Sequence, residues 1–418
     1  MGAAVRWWEI LRPPATGLAA VVLLALIAAV VSGHVQVWRD TIVVRDAQDF
    51  GIFLKSARQE LAGRSLYTPS HFQRGPRRSQ TSPLNLNLPH TMLLVWPLAR
   101  LTDQAALAVW LGGALLLGAW SSLAAVRALG WRIRLLPALL VVLYLVAWAP
   151  SAAFSRTAQI TFYVMAPVCA AWLAHRRGNS TRAGLWLGLA AAMKPFLLIF
   201  LPYFLVRRDR RALTAMLSVL ATCVAIGVAV FGLGAYAEWL AQLPRISWSA
   251  HYFNASIMGM LQRTIGRSAF AVIVHAPALV VPLTALLALV VGLVTLTRVA
   301  RSGAEPARAD GDWAALLLAA LLMSPLGWNY YLWIAVWPVA ALLTHRAPWR
   351  RPTPWDLWLL PGLGGWLWWG KMTVWGQPHV LATLTAASMY FWALLALWMW
   401  TIYRRSRDQA NVHWTPRS

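Results

Sequence analysis

Acidic residues are scarce in this chain, and their positions restrict which carboxylate could act as a base. Only 13 of the 418 residues are Asp or Glu, whereas 37 are Lys or Arg. Three of the acidic residues fall in 45-RDAQDFGIFLKSARQELAGRSLYTPS-70, which follows the apolar run 15–33. If the chemistry needs an outward-facing carboxylate as general base, Asp49 is the first candidate and Asp46 is the second.

Asp49 begins a helical pattern of apolar residues. In 49-DFGIFLKSARQELAG-63 these residues form one stripe, consisting of Phe50, Phe53, Leu54, Ala57 and Leu61. The pattern predicts an amphipathic helix that lies along the membrane surface and ends at Gly63. The alternative is that Asp49 only caps this helix, which would contribute about 1 kcal/mol.

Basic residues could supply the complementary positive charge. Lys194 interrupts an apolar hairpin, where a charge is costly and a functional role is the default interpretation. Arg263 and Arg156 lie in outer segments, and all three cations could hold a phosphate through charge-assisted hydrogen bonds. The alternatives are snorkelling of Lys194 to the interface and headgroup contacts for the arginines. The outer histidines have no helical metal-ligand spacing, so we expect polar lining from His71, His90 and His251.

The composition is that of a multipass membrane protein. The chain is 59% hydrophobic and 12% charged, whereas soluble proteins are about one-quarter charged. Its long apolar blocks approach the roughly 20 residues that a spanning helix needs. These blocks are 17–37, 104–127, 134–150, 157–175, 212–232, 271–298 and 378–402.

Prolines interrupt other apolar stretches and predict broken helices. The breaks are expected at Lys194-Pro195 and Ser324-Pro325, and 89–101 is too short to span. Irregular backbone at membrane depth requires protein or water around it, so these breaks are expected to line a cavity. We therefore predict an all-α fold with about 12 crossings, organised as one domain over 1–403 with a tail at 404–418.

The net charge of +24 comes from short basic clusters between the apolar blocks. This pattern sets membrane orientation rather than indicating nucleic-acid binding, and it predicts cytoplasmic termini. The segments 38–103 and 233–270 are then extracytoplasmic loops, because long loops translocate largely regardless of their charge. Motifs of the CxxC, HExxH and Walker types are absent from the sequence, so zinc, haem and nucleotide hydrolysis have no support.

Several short motifs follow one another in a recognisable order. They are Asp49 with Phe50 and Phe53, Gly63 with Leu66-Tyr67, Pro89 with Pro97-Leu98, Ala158-Gln159, Ala183-Gly184, Lys194-Pro195, Asn254-Ala255-Ser256 with Gly259 and Arg263, and Ser324-Pro325 with Trp328. Together they resemble glycosyltransferase family 87, the polyprenyl-phosphate-dependent membrane glycosyltransferases of GT-C type. The chain departs from that family at 86-LNLPH-90 and at Asn329, Tyr330 and Tyr331, where many members carry a Tyr-Pro-Pro and histidines.

The resemblance implies an inverting transfer of a hexose, with mannose first, from a polyprenyl-phosphate sugar to a lipid-linked or glycan acceptor. It implies the outer face of the plasma membrane as the place of reaction, with the lipid-linked donor as co-substrate. Because inversion by a single base at a phosphate donor with nearby cations needs no metal, we expect neither a metal nor another cofactor. Sugar- or acceptor-binding roles are expected for Tyr67, His90, Gln159, His251, Asn254, Ser256, Trp328, Asn329 and Tyr330. The alternatives are an arabinofuranosyltransferase, a lipid or sugar flippase, and an inactive assembly subunit.

Overall fold

The computed structural model describes five stretches of the chain and three isolated helical positions. The stretches are 48–68, 84–130, 148–301, 306–344 and 379–412, and the positions are Ser32, Val35 and Arg39. Most of the predicted spans 17–37 and 134–150 lies outside these descriptions, as do the residues Asp46 and His71. Every regular element in the described stretches is an α-helix or a 3-10 helix, as the all-α prediction requires.

Thirteen α-helices have defined bounds in this part of the chain. They are α1 Gln48–Leu61, α2 Asp103–Ala128, α3 Ala149–Thr157, α4 Thr161–Arg176, α5 Ser180–Met193, α6 Phe200–Val206, α7 Arg210–Gln242, α8 Ile257–Thr264, α9 Val280–Ala300, α10 Pro306–Met323, α11 Val336–Thr344, α12 Val380–Leu384 and α13 Met389–Val412. The 3-10 helices are Pro89–Leu94, Trp96–Arg100, Pro195–Ile199, Leu243–Arg245, Pro277–Leu279 and Asn329–Ile334.

Three helical segments of the described chain are long and apolar enough to cross a membrane: Asp103–Ala128, Arg210–Arg245 and Pro277–Ala300. They correspond to the predicted spans 104–127, 212–232 and 271–298, while the predicted total of about 12 is not confirmed. The second segment bends at Gly232, whose φ of +76° is left-handed and suits a residue without Cβ. Beyond this bend, the Tyr236 hydroxyl donates back to the Val224 carbonyl of the same helix.

The predicted helix breaks are confirmed at both prolines. Helix α5 ends at Met193, Lys194 is extended with φ −140° and ψ 103°, and a 3-10 helix starts at Pro195. Helix α10 ends at Met323, and the chain resumes helical structure only at Asn329. The segment 89–101, which is too short to span, forms two 3-10 helices, Pro89–Leu94 and Trp96–Arg100.

Glycines allow α5 and α7 to pack closely. A Cβ added at Gly184 would overlap the backbone of Ala212, and one added at Gly188 would lie 2.8 Å from the Met216 carbonyl oxygen. Helix α4 packs against both α2 and α5, and so connects the pair α5 and α7 to the spanning helix α2. The close backbone approach fixes the position of α5 and therefore of Lys194 at its end.

Helix α1 and its end near Gly63 agree with the sequence pattern, but the prediction that its apolar stripe lies on the membrane surface was wrong. Phe50 stacks on Trp110 with ring centroids 5.4 Å apart, and Phe53 packs edge-on to the same ring at 6.5 Å. Most of the apolar stripe is thus covered by protein rather than by the membrane surface, and only Leu61 is exposed. The aromatic contacts anchor the helix that carries Asp49.

Candidate functional site

A cavity of about 680 Å³ lies where the broken helices meet. The polar residues on its wall include Asp49, Asn87, Gln159, Lys194, Ser324 and Tyr331. Much of the remaining wall is apolar and comes from the segment 195–202, from α9 and from the end of α10. The cavity thus joins a small charged region to a longer apolar surface.

Asp49 faces this cavity from the first turn of α1, and its carboxylate is held across the fold. Its Oδ2 accepts a hydrogen bond of 2.7 Å from Gln159 Nε2, which also lies 3.3 Å from the Tyr330 hydroxyl. Gln159 follows Ala158, which has a left-handed φ of 46° and whose carbonyl accepts from Trp110 Nε1 at 2.7 Å. Rigid neighbours therefore fix the amide that orients the carboxylate.

The surroundings of Asp49 favour a role as a base. Burial raises the pKa of its carboxyl group from 3.8 to about 6, although the Gln159 hydrogen bond and the charge of Lys194 act in the opposite direction. A carboxylate with a pKa near the working pH is both ionised and basic enough to accept a proton. A helix-capping role alone would not require this contact with Gln159.

Lys194 supplies positive charge to the same cavity. Its Nζ donates to Asn87 Oδ1 at 3.0 Å and lies 5.6 Å from the centre of the Tyr331 ring. The charges of Asp49 and Lys194 attract each other, yet no ion pair between them is found among the described residues. Each charge therefore remains available to a bound molecule.

Asn87 was not identified from the sequence as a site residue, although it lies in the segment 86–90 that departs from the family pattern. Its backbone carbonyl accepts from the Tyr67 hydroxyl at 2.7 Å. Its backbone N–H and its Nδ2 both donate to Asn85 Oδ1, at 3.1 and 3.2 Å. These bonds fix Asn87, which in turn holds Lys194. Tyr67 thus contacts the back of the site rather than lining the cavity.

Four of the predicted site residues line the cavity: Asp49, Gln159, Lys194 and Trp328. Tyr330 reaches it indirectly through Gln159. His90 does not line it, because its two ring nitrogens contact the Tyr236 hydroxyl at 2.9 Å and the Ala192 carbonyl at 2.8 Å. These contacts pack the 3-10 helix Pro89–Leu94 against α5 and α7.

Arg263 has a different environment from the one predicted. Its side chain is fully buried, and Nε donates to Ser388 Oγ at 3.1 Å. One terminal nitrogen donates to the carbonyls of His251 and Asn254, at 2.9 and 3.0 Å. Because these contacts hold a loop together and Arg263 does not line the cavity, the geometry does not support the predicted phosphate contact.

Asn254 and Ser256 also stabilise this loop instead of lining the cavity. Asn254 Nδ2 donates to the carbonyls of Ser249 and Pro325, at 2.8 and 3.0 Å. The Ser256 hydroxyl accepts from Gly259 N at 3.1 Å and so caps α8. The loop is thereby attached to the broken region after α10.

The remaining predicted residues also lie outside the cavity wall. Arg156 is exposed at the end of α3, where its charge acts on Tyr252 and Tyr390, and Asn329 is buried beside Tyr390. His251 stacks on Tyr252 with ring centroids 4.6 Å apart and lines a second pocket of about 490 Å³. Burial and the charge of Arg263 lower the pKa of His251 to about 4, so its ring is neutral at physiological pH.

Comparison with known proteins identifies the family. The sequence model described as glycosyltransferase family 87 matches residues 86–325. A Mycobacterium tuberculosis (strain ATCC 25618 / H37Rv) protein is 30% identical over 355 residues, which cover 79% of this chain and 77% of that protein. The chain belongs to glycosyltransferase family 87. The relative is named polyprenol-phosphate-mannose-dependent alpha-(1-2)-phosphatidylinositol mannoside mannosyltransferase, and no solved structure matches.

Membership of family 87 identifies the chain as a membrane glycosyltransferase. The matched range includes Asn87, Gln159 and Lys194, whereas Asp49 precedes it and Trp328 follows it. The roles of Asp49 and Trp328 therefore depend on their positions in the cavity. In this family 87 enzyme, the cavity brings residues from inside and outside the matched range together.

Proposed function

We propose that this glycosyltransferase transfers a hexose, mannose first, from a polyprenyl-phosphate sugar to a lipid-linked or glycan acceptor at the extracytoplasmic membrane face. The observation that carries the proposal is that Asp49 and Lys194 face one cavity whose longer wall is apolar. The name of the mycobacterial relative supports a polyprenol-phosphate-mannose donor. The acceptor is proposed only as a class, because the cavity residues do not distinguish one glycan from another.

The proposed reaction is a single displacement at the anomeric carbon. Asp49 removes the proton from an acceptor hydroxyl while its oxygen attacks C1 of the sugar. The bond between C1 and the phosphate oxygen breaks, and polyprenyl phosphate leaves with the electron pair. Lys194 stabilises the negative charge on the departing phosphate, which needs no proton to leave. The configuration at C1 is inverted, because the acceptor attacks from the face opposite the leaving group.

The apolar part of the cavity suits the lipid of such a donor. Leu289 and Leu293 of α9 line the cavity and are also 57% and 53% exposed. Side chains that contact both the cavity and the outside mark a lateral opening, with Ile199 and Pro202 on the facing segment. An isoprenoid chain could pass between these elements and leave its phosphate near Lys194.

An arabinofuranosyl donor is the second candidate, since the same base and cation would serve it equally well. A flippase would have no need for the contact between Gln159 and the Asp49 carboxylate. The presence of both a carboxylate and a cation on the cavity wall therefore favours sugar transfer over transport.

Purified protein in lipid nanodiscs provides the direct test. Radiolabelled polyprenyl-phosphate mannose and polyprenyl-phosphate arabinofuranose are each incubated with an extract of glycolipid acceptors. The proposal predicts label in a glycolipid with the mannosyl donor, and no label with Asp49→Asn. Label only from the arabinofuranosyl donor would select the second candidate. Absence of transfer from either donor, together with donor movement across proteoliposomes, would select a flippase.

A further inference from the structure

Tyr331 has a buried hydroxyl group that has no role in the transfer reaction proposed above. The residue is 2% exposed and lines the cavity. Its hydroxyl oxygen has no hydrogen-bond partner among the described residues. By contrast, the hydroxyls of Tyr67 and Tyr163 each donate to a backbone carbonyl, at 2.7 and 3.0 Å. A buried polar group without a partner is unfavourable unless a ligand satisfies it.

The neighbours of Tyr331 fix its ring at the charged region of the cavity. Phe196 packs edge-on to it at 5.3 Å, and Tyr330 does the same at 4.8 Å. Lys194 Nζ lies 5.6 Å from the ring centre, and the charge of Asp49 also acts on the hydroxyl. Because the aromatic contacts limit rotation of the ring, the hydroxyl is held in place before any ligand binds.

We propose that Tyr331 donates its hydroxyl hydrogen to a phosphate oxygen of the lipid-linked donor, beside Lys194. This inference rests on the proposed function, because it names the part of that substrate which Tyr331 contacts. Tyr331 lies beyond the family match, which ends at residue 325. It also occupies one of the positions where the chain departs from the histidines of the family pattern.

Phosphate fits this place better than a sugar hydroxyl does. The Lys194 ammonium has three N–H groups, of which Asn87 takes one. Two donors of Lys194 and the hydroxyl of Tyr331 therefore remain for a ligand on the same wall of the cavity. An ionised phosphate has acceptor oxygens only, so it satisfies a set of donors without leaving a hydrogen unpaired. The acceptor hydroxyl needs the opposite partner, which is the Asp49 carboxylate.

The test compares Tyr331→Phe with Tyr203→Phe in the full-length protein in nanodiscs. Both tyrosines are buried, but Tyr203 does not line the cavity and lies 3.4 Å from His175 Nε2. We expect Tyr331→Phe to lower kcat/KM for the donor about 10- to 100-fold, as loss of one charge-assisted hydrogen bond does. The KM for the acceptor should stay within about twofold, and Tyr203→Phe should leave the donor kinetics unchanged.

Binding of a polyprenyl phosphate without sugar separates this inference from the proposed function. Wild-type protein should bind it at least about tenfold more tightly than the matching polyprenol. Tyr331→Phe should lose most of that preference, while Tyr203→Phe keeps it. If the preference is present and depends on Tyr331 although no sugar is transferred, the inference stands and the proposed transfer fails. If Tyr331→Phe retains the full preference and wild-type donor kinetics, or raises only the acceptor KM, the inference is overturned.

Discussion

Replacing Asp49 with Asn should change catalysis and stability in opposite directions. The substitution keeps the size of the side chain and an oxygen that can accept from Gln159, but it removes the basic carboxylate. Loss of general base assistance lowers rates about 10²- to 10⁴-fold. We therefore expect transfer by Asp49→Asn to fall by at least about 100-fold, in protein that remains folded and inserted in the membrane.

The stability effect follows from the raised pKa of Asp49. Its folded-state pKa of about 6 exceeds the ordinary value of 3.8, so the folded protein binds the proton more tightly than the unfolded chain does. The stability therefore decreases as the pH rises from about 4 to 6, and the full loss persists above pH 6. A difference of about two pKa units corresponds to at most about 3 kcal/mol. Because Asp49 is only half-buried, we expect Asp49→Asn to gain about 1–2 kcal/mol at pH 8 and nothing near pH 4.

Two measurements test this reasoning. Wild-type kcat/KM should fall about tenfold for each pH unit below about 6, because only the ionised carboxylate accepts the proton. Chemical or thermal unfolding in nanodiscs at pH 4 and pH 8 then measures the stability difference. The matched control is Asp103→Asn, since Asp103 is an exposed carboxylate paired with Arg58 at 2.6 Å. It should change neither the pH profile nor the transfer rate.

Two outcomes would refute this account. If Asp49→Asn transfers sugar at the wild-type rate, Asp49 is not the base and Asp46 becomes the candidate. A loss of transfer accompanied by lower stability at every pH would mean that the carboxylate is needed for the fold rather than for proton transfer.

Three further substitutions test the packing, the loop and the apolar opening. Gly184→Ala should destabilise the protein by about 1–3 kcal/mol in unfolding assays, because the added Cβ overlaps the Ala212 backbone, whereas Gly112→Ala has open space and should not. Arg263→Met should cost at least about 2 kcal/mol of stability and leave the donor KM of the folded fraction unchanged. A raised donor KM in protein of unchanged stability would instead support the predicted phosphate contact of Arg263. Gly292→Leu adds a side chain to the cavity wall, with its Cβ 3.3 Å from Met323 Cε. It should raise the KM for long-chain donors about tenfold and the KM for short-chain donors little. Equal effects on both donors would exclude a lipid at α9.

The sequence predicted the helix breaks because proline and buried charge leave a local signal. Lys194-Pro195 interrupts an apolar run, and neither residue suits the interior of a helix in a membrane. Asp49 could be predicted for a different reason, since a chain with few carboxylates leaves few candidates for a base. The cavity wall includes both residues. Their proximity itself depends on the packing of α5, which no local pattern encodes.

The departures from the family pattern marked the segments that contain Asn87 and Tyr331, but nothing in the sequence assigned a role to either residue. An Asn near a Pro is an ordinary turn residue, and a Tyr among apolar residues usually packs in the core. Their importance comes from contacts with Lys194, more than 100 residues from either in sequence. Arg263 shows the converse difficulty, because a cation in an outer loop gives the same sequence signal whether it binds a ligand or, as here, two carbonyls of its own loop and the hydroxyl of Ser388.

The two charges of the cavity stay apart because amides hold them. Free side chains of Asp49 and Lys194 would gain most by forming a direct ion pair, which would neutralise both. Instead, Gln159 donates its N–H to the carboxylate and Asn87 offers its oxygen to the ammonium. An amide can satisfy either charge without cancelling it, since it carries a donor and an acceptor but no net charge. The carboxylate thus keeps its basicity for an acceptor hydroxyl, and the ammonium keeps its charge for a phosphate.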